Sequence, residues 1–221
     1  MLTATEIYND IVNVTTKVIS AGISSGGEKM PSMKHEGNIS EIGISGVKDI
    51  ASALKNMPYE ELHSVLETHK FFNFRLADGG LIQMIYLFKD DKIWKHKLGY
   101  FPSPTFEPYQ NEAELYMEDC IYLEILDKRV LPVAIRFDYD CTDGVHSDLT
   151  HPKSHLTLGQ YKNCRIPVCS PITPSLFIEF ILRSFYNTAL INFSETINFN
   201  FIRFDQNATQ KEMDRIHIRI R

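Results

Sequence analysis

The residues best suited to chemistry lie in the second half of the chain. In one predicted strand, alternation of residue types places Arg136, Asp138 and Asp140 on a common face. His151 and His155 follow shortly after, and Pro152 between them argues against a continuous helix. A histidine oriented by a carboxylate can act as a general base near neutral pH, and an arginine can stabilise charge on a phosphoryl oxygen. This combination of histidine, carboxylate and arginine side chains favours phosphodiester cleavage.

Neighbouring strands extend this group if they pair in the right register. His155 and Thr157 lie on a predicted strand, and Asn163 and Arg165 lie on the segment predicted to pair back with it. Cross-strand pairing would bring these side chains into one polar patch. We therefore expect catalytic roles for Arg136, Asp138, His151, His155 and Arg165, with substrate contacts from Asp140 and Thr157.

The same pattern has a purely structural interpretation. An antiparallel sheet with one wet face alternates polar and apolar residues without any catalytic role, and Arg136 and Asp138 would then pair across strands. The alternative function is a non-catalytic protein-interaction subunit whose strands recognise a partner from the same operon. In that case the glycine-rich loop at residues 22–46 orders on contact.

A basic and aromatic strip lies further towards the N-terminus. Lys95, His96 and Lys97, with Trp94 and Tyr100, could contact a phosphate backbone by charge and stacking. We assign the two lysines and His96 as further substrate-binding candidates. The competing interpretation is a solvated edge strand, because lysines commonly protect edges from pairing.

Metal and nucleotide motifs are weak or missing. An H-x3-H, C-x4-C series runs through His151, His155, Cys164 and Cys169, but along a strand these two cysteines point to opposite faces unless Pro167 interrupts it. The carboxylates of Asp138, Asp140 and Asp143 could hold a hard cation, although carboxylates near a turn are more often turn formers. The sequence contains no P-loop and no G-x-G-x-x-G turn. We expect no metal and no cofactor.

The helices and strands predicted around these residues indicate an α+β fold. Three helices should come first: one from the Thr3–Glu6 capping box to about residue 21, one at 47–54, and one opened by Pro58. Alternating residues then predict an antiparallel meander at 72–77, 81–88 and 93–100, and two hairpins at 121–125 with 130–140 and at 155–158 with 163–169. A buried helix at 173–186 should pack on the sheet, and closing strands are predicted at 197–204 and 216–220.

Chain length, net charge and cysteine content limit the class of protein. A chain of 221 residues allows a single domain, with a helical segment at 1–70 and the sheet at 71–221. The net charge of −5 argues against a protein that coats nucleic acid through bulk charge. Four cysteines, no leader-like N-terminus and no long apolar segment predict a cytoplasmic protein with reduced thiols and no membrane contact.

Four segments together carry a family resemblance: Lys97-Leu-Gly-Tyr-Phe-Pro-Ser-Pro104, Ile135-Arg-Phe-Asp-Tyr-Asp140, His151-Pro-Lys-Ser-His-Leu-Thr-Leu-Gly159 and Arg165-Ile-Pro-Val168. The chain resembles the bacterial domain of unknown function, family 2290, over most of its length. The resemblance implies a bacterial intracellular protein and a setting near mobile elements or phage-defence genes, and it supplies no activity. The Arg-x-Asp strand followed by paired histidines also distantly resembles small toxins of toxin–antitoxin pairs.

Overall fold

The structure, a computed structural model, describes residues 2–44, 57–105, 124–125, 133–161 and 163–220. Its helices in these ranges are α1 (Ala4–Ser20), α2 (Tyr59–Thr68), α3 (Pro174–Phe185), α4 (Asn187–Asn192) and α5 (Gln210–Met213). Its strands are β1 (Ser32–Glu36), β2 (Ile39–Gly43), β3 (Phe74–Arg75), β4 (Leu81–Lys89), β5 (Lys92–Phe101), β6 (Ile135–Asp140), β7 (Ser154–Leu158) and β8 (Ile166–Pro167).

The strands form one antiparallel sheet. Its order is β1-β2-β4-β5-β6-β7-β8, with the short β3 pairing β4. The fold is therefore α+β, as the sequence predicts, and the meander β3–β4–β5 is confirmed. β5 lies between β4 and β6, so the interpretation of its lysines as protection for an edge strand is wrong.

Helices α1 and α3 cover one side of the sheet, here called the core face. The Thr3–Glu6 capping box begins α1 as predicted, and its apolar stripe of Ile7, Ile11, Val14 and Val18 is buried. Phe137 of β6 meets α3 directly, since its ring centroid lies 5.4 Å from that of Phe180. The buried helix predicted at residues 173–186 is thus confirmed.

A buried polar contact joins the two core helices. The Asp10 carboxylate on α1 accepts hydrogen bonds from the Ser175 backbone N–H at 2.9 Å and from its hydroxyl. The preceding cap residue, Thr173, makes no side-chain capping bond of its own. Asp10 therefore caps α3 from a different helix, which fixes the angle at which the two helices meet.

The opposite side of the sheet is covered at one end by α2. Leu62 and Leu66 of this helix form a second small cluster with Leu81 and Phe101 of the sheet. Between this cluster and the β6–β7 turn, the register places seven polar side chains on one face, here called the polar face: Lys95, Lys97, Arg136, Asp138, Asp140, His155 and Thr157. His155 and Thr157 are buried within it. The fold thus separates an apolar core face from a polar face that carries most of the predicted site.

The described part of the predicted loop at residues 22–46, which ends at residue 44, is not a loop throughout. It contains the hairpin β1–β2, in which Glu36 pairs with Ile39 across Gly37 and Asn38. Gly37 adopts a φ of 60°, which a glycine reaches without steric cost in a tight hairpin turn. Pairing of β2 with β4 then buries Ile42, so tertiary contacts convert a glycine-rich segment into strands.

The two predicted closing strands are also wrong. Residues 197–204 form no ladder; Ile197 and Phe204 are buried against the core, whereas Phe201 of the alternating set is exposed. In the C-terminal segment, Ile218 makes an isolated parallel bridge with Val168. The helix predicted at 47–54 and the strand at 121–125 lie wholly or mostly outside the described residues. None of the helices in the described ranges is long and apolar enough to span a membrane.

Candidate active site on the polar face

The antiparallel register assembles the polar face as predicted. Asp138 lies opposite Lys97 on β5 and opposite His155 on β7. Arg136 lies opposite Gly99 and Thr157 in the next row. Cross-strand neighbours in such rows are close enough for side-chain contact. The sheet therefore brings the guanidinium, the carboxylate and one imidazole onto a common surface.

His155 and Asp138 form the closest acid–base pair of the predicted set. The Nε2 atom of His155 lies 3.9 Å from Oδ2 of Asp138, and the His155 side chain is only 7% exposed. Its Nδ1 lies 2.9 Å from the backbone carbonyl of Pro152. A carbonyl only accepts, so Nδ1 donates, and the neutral ring carries its lone pair at Nε2 beside the carboxylate.

Burial lowers the pKa of His155, although the Asp138 charge and the Pro152 hydrogen bond oppose this effect. The ring is therefore neutral at neutral pH, and its basic nitrogen is unprotonated. That is the protonation state a general base requires.

His151 lies beside His155 on the turn between β6 and β7. The two ring centroids are 5.5 Å apart in an edge-on arrangement. Two backbone hydrogen bonds between Ser147 and His151, of 2.8 and 3.1 Å, close the turn and hold His151 in place. Partial burial and the charge of Arg165 lower the pKa of His151. The site thus contains two histidines of different exposure.

Arg165 lies close enough to both imidazoles for its charge to lower their pKa values. Its Nη1 donates a 3.4 Å hydrogen bond to the Thr150 carbonyl at the same turn. An arginine at this position could bind a phosphate oxygen next to the histidines.

Asp140 and Lys95 form an ion pair at the edge of the site. Their Oδ2 and Nζ atoms are 3.0 Å apart, and the Lys95 ammonium also lies 4.7 Å from the centre of the Trp94 ring. Burial opposes ionisation of Asp140, but hydrogen bonds from Thr142 and Lys95 outweigh it and lower the pKa of this carboxyl. Asp140 is thus an ionised partner for Lys95, and Lys97 is the exposed cation of the strip.

His96 does not belong to this surface. The alternation of β5 turns it to the core face, where it is 1% exposed and its Nε2 accepts a 3.1 Å hydrogen bond from the Ile172 backbone N–H. Complete burial lowers its pKa to about 3. Tyr100 is likewise buried, with its hydroxyl 2.8 Å from that of Tyr186. The predicted contact of His96 with a substrate is therefore replaced by a role in the core.

The H-x3-H, C-x4-C series is not brought together in the described residues. Among the described residues, no metal-type cluster combines His151 or His155 with Cys164 and Cys169. Cys169 is buried, and its sulfur accepts a hydrogen bond from the Ile220 N–H. Within the described chain, Cys141, Cys164 and Cys169 are free thiols.

Family comparison confirms the resemblance. The model of the family described as "Uncharacterized conserved protein (DUF2290)" matches residues 24–220. The chain belongs to this family. No curated protein and no solved structure matches it. The matched range contains every predicted site residue of this DUF2290 member.

Two features of the site were beyond the reach of sequence patterns. The Pro152 carbonyl that orients His155 acts through the backbone, which residue types do not reveal. The ion pair between Lys95 and Asp140 depends on the β5–β6 register, which the residue types of the two strands do not specify by themselves. For the contact between Pro152 and His155, the only local signal is their spacing, since a side chain can reach a backbone carbonyl three residues earlier.

Proposed function

We propose that the protein cleaves phosphodiester bonds in nucleic acid or nucleotides. The observation that carries the proposal is the His155–Asp138 pair, in which a carbonyl fixes the tautomer and the free Nε2 faces the carboxylate 3.9 Å away. His151 and Arg165 lie beside this pair and supply a second titrating group and a phosphate-binding cation.

We assign each side chain a role in the reaction from its position in the site. His155 accepts the proton of the attacking hydroxyl or water, and Asp138 stabilises the imidazolium that forms. His151, the more exposed imidazole, donates a proton to the leaving oxygen. Arg165 and Arg136 bind the non-bridging phosphate oxygens as negative charge develops. Lys97 and Lys95 extend the positive surface along β5 for the remaining phosphates.

The two histidines set the expected pH dependence. One must be neutral and the other protonated, so the rate peaks between their two pKa values. Burial places both pKa values below the ordinary 6.5. The pH–rate profile is therefore expected to be bell-shaped, with its maximum on the acidic side of pH 6.5.

The test measures cleavage of single- and double-stranded RNA and DNA and of cyclic dinucleotides by the full chain. His155→Ala, His151→Ala and Asp138→Asn are expected to lose roughly 10²–10⁴-fold in rate. The matched control is Arg183→Ala, because Arg183 is an exposed residue that pairs with Glu179 on α3. Equal rates for the folded wild type and His155→Ala, or no cleavage of any of these substrates, would refute the proposal.

One observation favours a second function. Lys97 is exposed on the polar face, and an exposed cation on a sheet surface suits recognition of an acidic partner. In this alternative, the polar face binds a protein partner from the same operon without catalysis. Charge reversal at Lys97 (Lys97→Glu) would then abolish copurification of that partner, while His155→Gln, which keeps a polar side chain, would retain it.

A further inference from the structure

A cluster of three side chains lies beside the polar face and has no role in the proposed reaction. His146 and Asp148 belong to the β6–β7 turn, and Glu212 belongs to α5 near the C-terminal end of the chain. One potential ligand atom from each residue lies within 4.8 Å of the other two. The Glu212 side chain is 2% exposed, whereas those of His146 and Asp148 are 24% and 32% exposed. The cluster is thus closed on one side and open on the other.

The two separations measured from the His146 imidazole match those of a coordination sphere. Nε2 of His146 lies 3.2 Å from Oε1 of Glu212 and 3.6 Å from Oδ1 of Asp148. In a tetrahedral site with bonds of about 2.1 Å, neighbouring ligand atoms are about 3.4 Å apart. A single imidazole N–H cannot make two good hydrogen bonds at these two distances. The imidazole therefore bonds to Glu212 and leaves Asp148 just outside hydrogen-bond distance, whereas a cation between the three atoms would contact all of them.

We propose that His146, Asp148 and Glu212 bind one divalent first-row transition metal ion such as Mn²⁺ or Zn²⁺. An imidazole nitrogen with two carboxylates is a ligand set for these ions, whereas Mg²⁺ and Ca²⁺ prefer oxygen ligands alone. Three protein ligands leave at least one coordination position for water. The ligands come from two segments of the chain, with His146 and Glu212 separated by 66 residues, so no local sequence motif identifies the site.

Two neighbours complete the arrangement. The backbone N–H of Thr209 donates to Oε2 of Glu212 at 2.9 Å, which orients the carboxylate and leaves Oε1 turned to His146. The Lys211 ammonium lies 3.3 Å from Oδ2 of Asp148, and its side chain is 76% exposed. The Lys211 ammonium therefore competes with a metal ion for Asp148. When the ion binds, the exposed Lys211 side chain can move into solvent.

The metal ion would connect the turn that carries His151 to α5. The backbone of residues 147–151 is closed by hydrogen bonds, so an ion held by His146 and Asp148 restrains the same turn from the side of Glu212. Metal binding is measured without a substrate, so its failure and the failure of phosphodiester cleavage are independent outcomes.

The experiment titrates Mn²⁺ into the full chain after treatment with EDTA and removal of the chelator. Free Mn²⁺ is followed by electron paramagnetic resonance, and Zn²⁺ binding is followed by calorimetry. We expect one ion per chain, and binding weakened about tenfold or more in His146→Ala and Asp148→Asn. Lys211→Gln removes the competing ammonium and should tighten binding, which a misfolded variant could not do.

The matched control is His217→Ala. His217 lies in the same C-terminal segment, and its Nδ1 contacts the Arg215 carbonyl rather than the cluster. Its removal should leave the affinity unchanged. Because Glu212 also caps α5, the test relies on Asp148→Asn, which removes no cap. Wild-type protein that binds neither ion at millimolar concentration, or His146→Ala that binds both as the wild type does, would overturn the proposal.

Discussion

Protonation of His96 should make the fold sensitive to acid. The ring is completely buried between β5 and the segment that follows β8, and its Nε2 accepts the Ile172 N–H. Burial lowers its pKa from the ordinary 6.5 to about 3. The unfolded chain therefore binds more protons than the folded chain between these two values, and stability falls as the pH decreases through that range.

The size of the effect follows from this shift. Each pH unit within the range costs about 1.36 kcal/mol of unfolding free energy per histidine. Between pH 7.5 and pH 5.0 the chain passes about 1.5 units below the ordinary value, so His96 alone should remove about 2 kcal/mol. For a domain whose total stability is roughly 5–15 kcal/mol, that is a large fraction.

Urea unfolding at several pH values isolates this contribution. His96→Gln removes the titrating group and keeps an acceptor for the Ile172 N–H. The stability difference between wild type and this variant should shrink by about 2 kcal/mol from pH 7.5 to pH 5.0. Leu98→Ala, a buried change on the same strand without a titrating group, should give a difference that does not vary with pH. A constant difference for His96→Gln would refute the buried placement of His96.

Two further predictions concern packing. Asp10→Ala removes the carboxylate that receives both Ser175 bonds, each worth about 1.5–3 kcal/mol to a charged acceptor. It also removes the cost of burying that carboxylate, so the fold should be destabilised by about 2–4 kcal/mol, and by less in Asp10→Asn. Unfolding midpoints in urea within error of each other for the three proteins would contradict this cap. Gly99→Ala places a methyl group into the buried Phe101 ring, and should cost about 1–3 kcal/mol by overpacking. Retention of the wild-type melting temperature would show that the ring moves aside freely.

Part of the site could be predicted because strands alternate. Period two alone places Arg136, Asp138 and Asp140 on one face, and the register Asp138 to His155 follows from keeping Phe137 and Leu156 on the other. The assignment of His96 to the substrate surface was wrong because it did not apply this alternation. A local cluster of lysines and histidine looks like one basic strip, but alternation within β5 sends His96 to the opposite face from Lys95 and Lys97. Composition within a short window therefore does not identify a surface.

The sequence by itself determined the helices and strands that are specified by residues close together in the chain. The capping box of α1, the apolar stripe of α3 and the alternation of β4, β5 and β6 depend on neighbours a few residues away, and all of these elements are present. Only the tertiary structure decided the β1–β2 hairpin, the coil at residues 197–204 and the meeting of His146 with Glu212. Each of these depends on which distant surface buries a residue, and the free energy of such burial has no counterpart in the local pattern.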